Sequence, residues 1–450
     1  MAHQRPWRGM PDLYPDSQDI LPVETLERYT AGGFHPVNLG DTFQDGRYTI
    51  RHKLGFGGFS TVWLAYDQDA SQWVSIKVKT AASSTEDLEQ DSEVSIMRQL
   101  ESCYAKSAQS GPMPFVRLLD CFHHVGPNGT HNCLVMELLG PSLSNVLDCY
   151  EYRRQTFRPD TVLRTSCQLL DALAFFHQAG FAHGDIYNSN VGFTCSFIES
   201  EEDLFDVIGD PITSAYENTE IPWSPELPKH LVACTAWPGW YESPDECLRL
   251  IDLGVAFPVA NTVTDIAQPM DVRSPETFFI GSFDYRHDLW RAGCVIYSLY
   301  YQKRPFISFW EGGYLFTRIL VEKLGPIPDD WQSKWEEMRE QSQTLLVDEH
   351  RPELIIETFE PRRNAIILSC EDEDGEYEKD EHSEHDYAAL ESLLWVLKGL
   401  FQYKPEKRLS PREVISHIRS KWTDYRRESR LEEPTLEELT LEEPSLEETS

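Results

Sequence analysis

The stretch of sequence that most constrains the fold is residues 183–190, which read His-Gly-Asp-Ile-Tyr-Asn-Ser-Asn. A run with apolar residues at helical spacing, residues 161–177, leads into it. The stretch places an acid, Asp185, five positions before an amide, Asn190. A carboxylate can accept a hydroxyl proton, and an amide oxygen can bind a metal ion. Aspartate and asparagine are also common turn residues that bond their own backbone, so the neighbouring motifs decide between a catalytic loop and a simple turn.

A glycine-rich turn lies between two β-prone runs upstream, at residues 54–62, which read Leu-Gly-Phe-Gly-Gly-Phe-Ser-Thr-Val. Glycine lets backbone N–H groups approach phosphates without a Cβ atom in the way, although many glycine hairpins are purely conformational. The next strand-like run, residues 73–79, contains Lys77, and a lysine in such a run usually faces solvent. A helix-prone segment follows at residues 84–100, with three acidic side chains that could turn inward: Glu86, Glu89 and Glu93.

Two strand-like runs, residues 115–122 and 133–139, flank a Gly-Pro-Asn-Gly-Thr turn sequence and predict a hairpin. Its histidines and cysteines lack the paired spacing of structural zinc sites, so we expect no metal there. Another apolar run, residues 248–251, ends in Asp252-Leu-Gly. An aspartate after a strand, with glycine two positions later, can hold a metal ion that bridges phosphates, or can simply begin a β-turn.

The composition describes a chain with a substantial core and a strong negative charge. It has 450 residues, 40% of them hydrophobic, which suffices for about two or three ordinary domains or one large bilobal one. Forty basic against 75 acidic residues give a formal net charge of −35, which disfavours nucleic acid and anionic lipid and favours basic partners. Ten cysteines without a repeated spacing, and no apolar leader, predict a location in the cytoplasm, the nucleus or both. No apolar run approaches the roughly 20 residues of a membrane span, and we expect a monomer without membrane contact.

Taken in order, these motifs resemble those of the eukaryotic protein kinases, and within them the serine/arginine-rich protein kinases (SRPK-like). Residues 33–41, Gly-Phe-His-Pro-Val-Asn-Leu-Gly-Asp, resemble the G-Y-H-P-V-x-x-G-D lead-in of that subfamily. The run that begins at Leu54 is similar to its L-G-W-G-H-F-S-T-V-W-L segment, and Ser274-Pro-Glu276 takes the place of the kinase A-P-E motif. The match runs from about Tyr29 to Trp422. It implies an α+β, bilobal protein-kinase fold with a β-rich small lobe and a mainly helical large lobe.

The resemblance also implies domain boundaries. We expect an N-terminal extension packing on or near the kinase (1–47), a small lobe (48–140), a large lobe (141–424) with insertions at about 195–247 and 371–386, and an acidic disordered tail (425–450). The tail prediction rests on a Leu-Glu-Glu near-repeat that prolines interrupt. The second insertion is acidic, and we expect a solvated loop, with a docking site for basic substrate as the alternative. The tryptophans of the first insertion are expected to pack on the protein.

The chemistry that the resemblance implies is that of an ATP-dependent serine/threonine protein kinase, with ATP and Mg²⁺, acting on serines in basic arginine/serine-rich segments. Asp185 would take or orient the serine proton, Lys77 would hold the phosphates with Glu93 as its acidic partner, and Asn190 and Asp252 would hold the metal ions. The implied nucleotide-binding residues are Leu54, Gly55, Gly57, Gly58, Phe59, Ser60, Val62, Ser75, Lys77, Glu93, Met136, Glu137 and Leu139.

Two residues of the catalytic stretch depart from the kinase pattern. Tyr187 stands where the family has a lysine that neutralises the transferred phosphoryl group, and a tyrosine carries no positive charge. Gly184 replaces the arginine of H-R-D, so the pairing of that arginine with an activation-loop phosphate is missing.

Two alternatives stay open. One is a pseudokinase that binds nucleotide or partners without efficient catalysis, which Tyr187 favours. The other is a small-molecule kinase of the aminoglycoside phosphotransferase type, which shares His-Gly-Asp with an asparagine five positions on. That type lacks counterparts of Ser274-Pro-Glu276 and of Arg408, which could pair with Glu276.

Overall fold

The computed structural model describes residues 13–20, 22–107, 111–195, 198, 200–218, 220–241, 243, 245–266, 269–306, 313–343 and 384–431. The chain divides into two compact units. The first contains Met1–Arg154 and Phe175–Asn261, and the second contains Gln155–Ala174 and Thr262–Ser450. The predicted acidic insertion lies outside the described residues as far as residue 383, and so does the predicted tail from residue 432 onwards.

The first unit is built on an antiparallel sheet of six strands in the order β1-β2-β3-β4-β6-β5. Successive side chains of a strand point to opposite faces of the sheet. Apolar residues, many of them β-branched or aromatic, recur on one face, which is buried around Trp63, Ile76 and Val135. The strands are β1 Thr42–Phe43, β2 Tyr48–Phe56, β3 Ser60–Asp67, β4 Gln72–Lys79, β5 Leu118–Gly126 and β6 Gly129–Glu137. β5 and β6 reach the glycines of their tight turn, so the strands are displaced toward the turn relative to the prediction.

The segment before the sheet is packed against the first insertion. Tyr14, Tyr29 and Phe34 are buried in one apolar cluster with Leu227 and Leu231 of the insertion. The predicted N-terminal extension thus contains one strand of the sheet, β1, and its residue Phe43 contributes to the core of the sheet. The insertion forms helix α4 Glu201–Ile208 and a hairpin of β9 Thr213–Ala215 and β10 His230–Val232. Trp237 and Trp240 are buried, and Trp223 is 40% exposed.

The predicted boundary between lobes at residue 140 does not coincide with the boundary between compact units. The insertion and the catalytic stretch belong to the same unit as the sheet, because that unit resumes at Phe175 and continues to Asn261. Two short antiparallel pairs frame the catalytic stretch: β7 Phe181–Ala182 with β12 Phe257–Pro258, and β8 Val191–Phe193 with β11 Leu248–Leu250. Helices α1 Ser92–Lys106 and α2 Leu143–Tyr152 complete the unit.

The second unit is helical, and its core surrounds helix α6. Almost every side chain of α6 is buried, as expected of a helix that is apolar on all faces. Trp290 of α6 stacks on Phe306, with ring centroids 5.3 Å apart. The described helices are α3 Pro159–Gln178, whose last residues belong to the first unit, α5 Glu276–Phe279, α6 His287–Tyr301, α7 Gly313–Leu324, α8 Gln332–Gln343, α9 Glu384–Leu400 and α10 Pro411–Leu431. None of the helices in the described part of the chain combines the length and apolarity needed to cross a membrane.

The prediction that the disordered tail begins at residue 425 is wrong, because α10 continues to Leu431. No proline interrupts the sequence between Pro411 and Pro434, so the backbone can remain helical through this region. Tyr425 also donates a hydrogen bond of 2.8 Å to Asp386 of α9. The Leu-Glu-Glu near-repeat on which the prediction rested begins only at Leu431, so it does not oppose helix formation over residues 425–430.

Candidate active site

A buried lysine joins two carboxylates in the first unit. Lys77 of β4 lies with its Nζ 2.6 Å from Glu93 Oε1 of α1 and 2.9 Å from Asp252 Oδ1. Glu93 is therefore the acid that α1 turns inward, whereas Glu89 pairs with Arg98 at the surface. Burial alone would lower the pKa of Lys77, but the two carboxylates outweigh it and raise this pKa above its ordinary value. In turn, the charge of Lys77 lowers the pKa of Asp252, which favours the charged form of both groups.

The catalytic stretch is connected to the strand before Asp252 by a buried histidine. His183 Nε2 lies 3.1 Å from the carbonyl oxygen of Ile251 and must donate to it, because a carbonyl only accepts. His183 Nδ1 then accepts the backbone N–H of Asp185 at 3.2 Å. The backbone N–H of Ile251 donates to the carbonyl of Asn190 at 3.0 Å, which continues the β8–β11 pairing. Residues from two distant parts of the sequence are thus held side by side.

Asp185 and Asn190 are in direct contact. The Asn190 amide nitrogen donates to the backbone carbonyl of Asp185 at 2.9 Å and to its Oδ2 at 3.0 Å. These bonds identify the nitrogen side of the amide and direct its oxygen away from Asp185. The predicted acid and amide therefore form a unit that presents carboxylate and amide oxygens.

The backbone at Asp252 is strained. Its φ of 61° lies in the left-handed region, which costs a non-glycine residue about 1 kcal/mol or more. Its Oδ1 accepts the N–H of Gly254 at 3.4 Å, in addition to the contact with Lys77. Strain of this kind persists where the surrounding structure holds a side chain in one place, and it is concentrated at functional sites.

The structure gives a local reason for the glycine at position 184. Its φ is +82°, and a Cβ atom added there would lie 2.9 Å from the carbonyl oxygen of Val255. An arginine in this backbone would be both strained and crowded. Tyr187 is extended and immediately precedes the 3-10 turn Asn188–Asn190.

The glycine turn between β2 and β3 has space around it. Cβ atoms added at Gly55, Gly57 or Gly58 would meet nothing within 4 Å, and Phe59 is 71% exposed. Packing does not require these glycines, and the open space beside them would admit a ligand close to the backbone. The predicted residues Leu54, Ser60 and Val62 lie on the same two strands.

Of the remaining predicted nucleotide-binding residues, Met136 and Glu137 are the last two of β6, and Leu139 follows the strand. Ser75 donates its hydroxyl to the carbonyl oxygen of Glu137 at 3.2 Å, so this buried polar group has a partner. Met136 is buried beside it. Leu139 lies near Gly192, where a Cβ would come within 3.2 Å of Leu139 Cδ1.

The residues present fit magnesium and a nucleotide phosphate. Magnesium prefers oxygen ligands and commonly takes only one or two from protein carboxylates, with the remainder from phosphates and water. Asp252 and the amide oxygen of Asn190 supply such ligands, and Lys77 supplies a cation for phosphate. Among the described residues there is no cluster of three or more histidines, cysteines or acids suited to an all-protein metal cage.

Sequence reasoning missed three residues that surround the Lys77–Glu93 pair: Lys79, Asp91 and Asn132. Two signals could have found them. Lys77 and Lys79 are two positions apart on a strand and so share one face. Asp91 stands directly before a helical run, the preferred place of an N-cap residue.

Comparisons with known proteins give a consistent result. A family model described as protein kinase domain matches residues 48–196. The chain is similar to the protein kinase dsk1 of Schizosaccharomyces pombe, with 38% identity over 37% of this chain and 30% of that protein. It is similar to the SRSF protein kinase 3 of Homo sapiens, with 35% identity over 37% of this chain and 29% of that protein. With the serine/threonine-protein kinase SRPK of Physarum polycephalum the identity is 26%, over 90% of this chain and 92% of that protein.

Proposed function

Since this chain is an SRPK-like eukaryotic protein kinase, we propose that it transfers the γ-phosphoryl group of ATP to serine or threonine residues of proteins. The predicted α+β kinase fold and the predicted subfamily are confirmed by the kinase-domain match and by these relatives. The observation that carries the proposal is the Lys77–Glu93–Asp252 cluster, held next to Asp185 and Asn190 by the β8–β11 pairing.

Each residue of the cluster has a role in this proposal. Asp185 accepts the proton of the substrate hydroxyl, and its orientation is fixed by the Asn190 amide and by the bond from its backbone N–H to His183. Lys77 binds the nucleotide phosphates while Glu93 holds its ammonium group in place. When bound, magnesium neutralises charge on the phosphate oxygens, with Asp252 and Asn190 as its protein ligands. The glycine turn and the three residues Met136, Glu137 and Leu139 bind the remainder of the nucleotide.

We further propose that the substrates are basic, arginine/serine-rich protein segments. The formal net charge of −35 attracts basic polypeptides over the range of the Debye length. One relative is named an SRSF protein kinase, and another an SRPK. Such substrates place the protein in the cytoplasm, the nucleus or both, and we expect it to act there as a monomer.

The test is phosphate transfer from radiolabelled Mg-ATP to an arginine-serine repeat peptide. Matched peptides carry alanine for serine, or glutamate for arginine. We expect transfer to the first peptide alone, and a loss of about 10²-fold or more for Asp185→Ala, because proton transfer by a positioned base typically contributes that much. Asp69→Ala, which removes an exposed carboxylate of the same unit, is the matched control and should leave the rate unchanged. Calorimetry that detects no Mg-ATP binding at millimolar nucleotide would overturn the proposal.

The Tyr187→Lys variant separates the active kinase from the pseudokinase. The missing cation corresponds to the loss of one electrostatic donor, about 10²- to 10³-fold in rate. We expect slow transfer by the unchanged protein and faster transfer by the variant. If the unchanged protein binds Mg-ATP but transfers nothing, and Tyr187→Lys alone creates activity, the protein is a pseudokinase.

A further inference from the structure

We propose that Lys79, Asp91 and Asn132 are positioning residues that hold the start of helix α1 so that Glu93 meets Lys77. This inference rests on the proposed kinase function, because it gives the Lys77–Glu93 pair its importance. In this proposal, the ion pair between Lys79 and Asp91 sets the orientation of α1 within the first unit. The helix needs no phosphate on a loop to keep that orientation.

The Asp91 carboxylate is bonded from three directions. Lys79 Nζ lies 2.8 Å from Asp91 Oδ2 and 3.0 Å from Oδ1. The Asn132 amide donates to Oδ2 at 2.7 Å. Oδ1 also accepts the backbone N–H of Glu93 at 3.1 Å and that of Val94 at 3.4 Å, which makes Asp91 the N-cap of α1. One side chain therefore ties the first turn of the helix to two strands of the sheet.

The network is largely buried. Asp91 is 1% exposed, Asn132 is fully buried, and the side chain of Lys79 is 12% exposed. Burial alone would raise the pKa of Asp91, but the hydrogen bonds from Lys79 and Asn132 outweigh it and hold this pKa below its ordinary value. Asp91 is therefore held in its charged form, and removing Lys79 would leave this buried charge uncompensated.

The register of the strand explains why this pair acts on Glu93. Lys77 and Lys79 project from the same face of β4, and Asp91 and Glu93 are likewise two positions apart. Lys79 Nζ also lies 3.8 Å from Glu93 Oε2, so Glu93 is placed between two lysines. Because Asp91 fixes the first turn of α1, a displacement there would carry Glu93 away from Lys77.

The catalytic stretch lacks the arginine that orders the corresponding helix in many kinases, so another contact must hold α1. Kinases that are switched by activation-loop phosphorylation use the arginine of H-R-D to pair with the phosphate, and the position of the helix that carries the glutamate is part of that switch. Position 184 is a glycine whose left-handed backbone disfavours any larger residue. The bonds of Asp91 to Lys79 and Asn132 hold the start of α1 in place of the missing pairing between an arginine and a loop phosphate.

A double-mutant cycle tests the inference. Lys79→Met is expected to lower kcat/KM for ATP about tenfold or more, whereas Lys79→Arg retains activity within about threefold because it keeps the ion pair. In a Glu93→Gln background, Lys79→Met should cause little further loss, since its effect passes through Glu93. Asp91→Asn keeps a good N-cap residue while removing the charge, and should reproduce the loss caused by Lys79→Met. Lys106→Met, at the exposed C-terminal end of α1, is the matched control.

Hydrogen exchange of the α1 amides provides a readout that does not depend on catalysis. Faster exchange across residues 92–100 in Lys79→Met and in Asp91→Asn, but not in Lys106→Met, supports the positioning role even if the unchanged protein transfers no phosphate. Failure of the proposed function would appear as absent transfer with this exchange difference intact. Two results would overturn the positioning role. One is that Lys79→Met lowers kcat/KM as much in the Glu93→Gln background as in the unchanged protein. The other is that hydrogen exchange in α1 is the same in Lys79→Met and Asp91→Asn as in the unchanged protein.

Discussion

Replacing His35 with phenylalanine should flatten the dependence of stability on pH between about pH 7 and pH 5. His35 precedes the sheet and packs against two histidines of the β5–β6 hairpin, with ring centroids 4.5 Å from His124 and 5.1 Å from His131. It is 7% exposed. Burial, followed by repulsion from the two neighbouring imidazoles, lowers the pKa of His35 from 6.5 to about 3.

The direction of the effect follows from proton binding by the unfolded chain. As pH falls below 6.5, the unfolded chain binds a proton at His35 while the folded protein keeps this ring neutral, so acid favours unfolding. The stability that the neutral ring contributes is complete above about pH 6.5 and declines as pH falls toward the folded pKa. A difference between 6.5 and 3 corresponds to about 2 kcal/mol lost from this ring at pH 5. The pKa values of His124 and His131 are lowered by burial too, so both add to the slope.

The measurement is urea unfolding at pH 7, 6 and 5 for the unchanged protein and for His35→Phe, with tyrosine and tryptophan fluorescence as the probe. The slope of the unfolding free energy against pH is the readout, because the larger ring can also change the absolute stability. An exposed-histidine variant, His230→Gln, should keep the original slope. Equal slopes for His35→Phe and the unchanged protein would refute the reasoning, as would NMR titration of the His35 ring above about pH 5.

Three further predictions concern other buried contacts. Arg408→Met should destabilise the second unit by about 3–5 kcal/mol, because its buried bidentate pair with Glu276 (both N–O distances 2.6 Å) would lose its cation; the added change Glu276→Gln should recover part of the loss in urea unfolding. Gly126→Ala should cost about 1–3 kcal/mol in thermal unfolding, because its Cβ would lie 2.2 Å from a buried imidazole nitrogen. Arg28→Ala removes the donor to the Gly58 carbonyl and should speed hydrogen exchange in the glycine turn, whereas unchanged exchange would show that this contact does not order the turn.

Much of the candidate site could be anticipated because its motifs are local. A glycine turn between β-prone runs, a lysine inside the next strand and an aspartate five positions before an asparagine depend on short-range backbone preferences. Where the predicted segment boundaries differ from the structure, the reason is a contact between residues far apart in the sequence. Residues 425–431 are helical with a contact from Tyr425 to α9, and residues 42–43 are a strand because Phe43 enters the core of the sheet.

The residues around Asp91 show where local signals were insufficient. Asp91 is recognisable as an N-cap from its position, but the sequence does not show which cation will neutralise it once it is buried. That depends on the register of β4 against β6, which brings Lys79 and Asn132 to the same side chain. Register is decided by which face of each strand is buried across the whole sheet.

The sequence by itself determined which chemical groups this protein carries and in what order, including an acid, Asp185, five positions before an amide, Asn190. Only the tertiary structure decided that Glu93, among three acids, faces Lys77, and that Asp252 joins them from 175 residues away. The physical reason is that a short motif is restricted by its own backbone. A distant pair depends instead on strand pairing and on burial of a common face, which no local segment encodes.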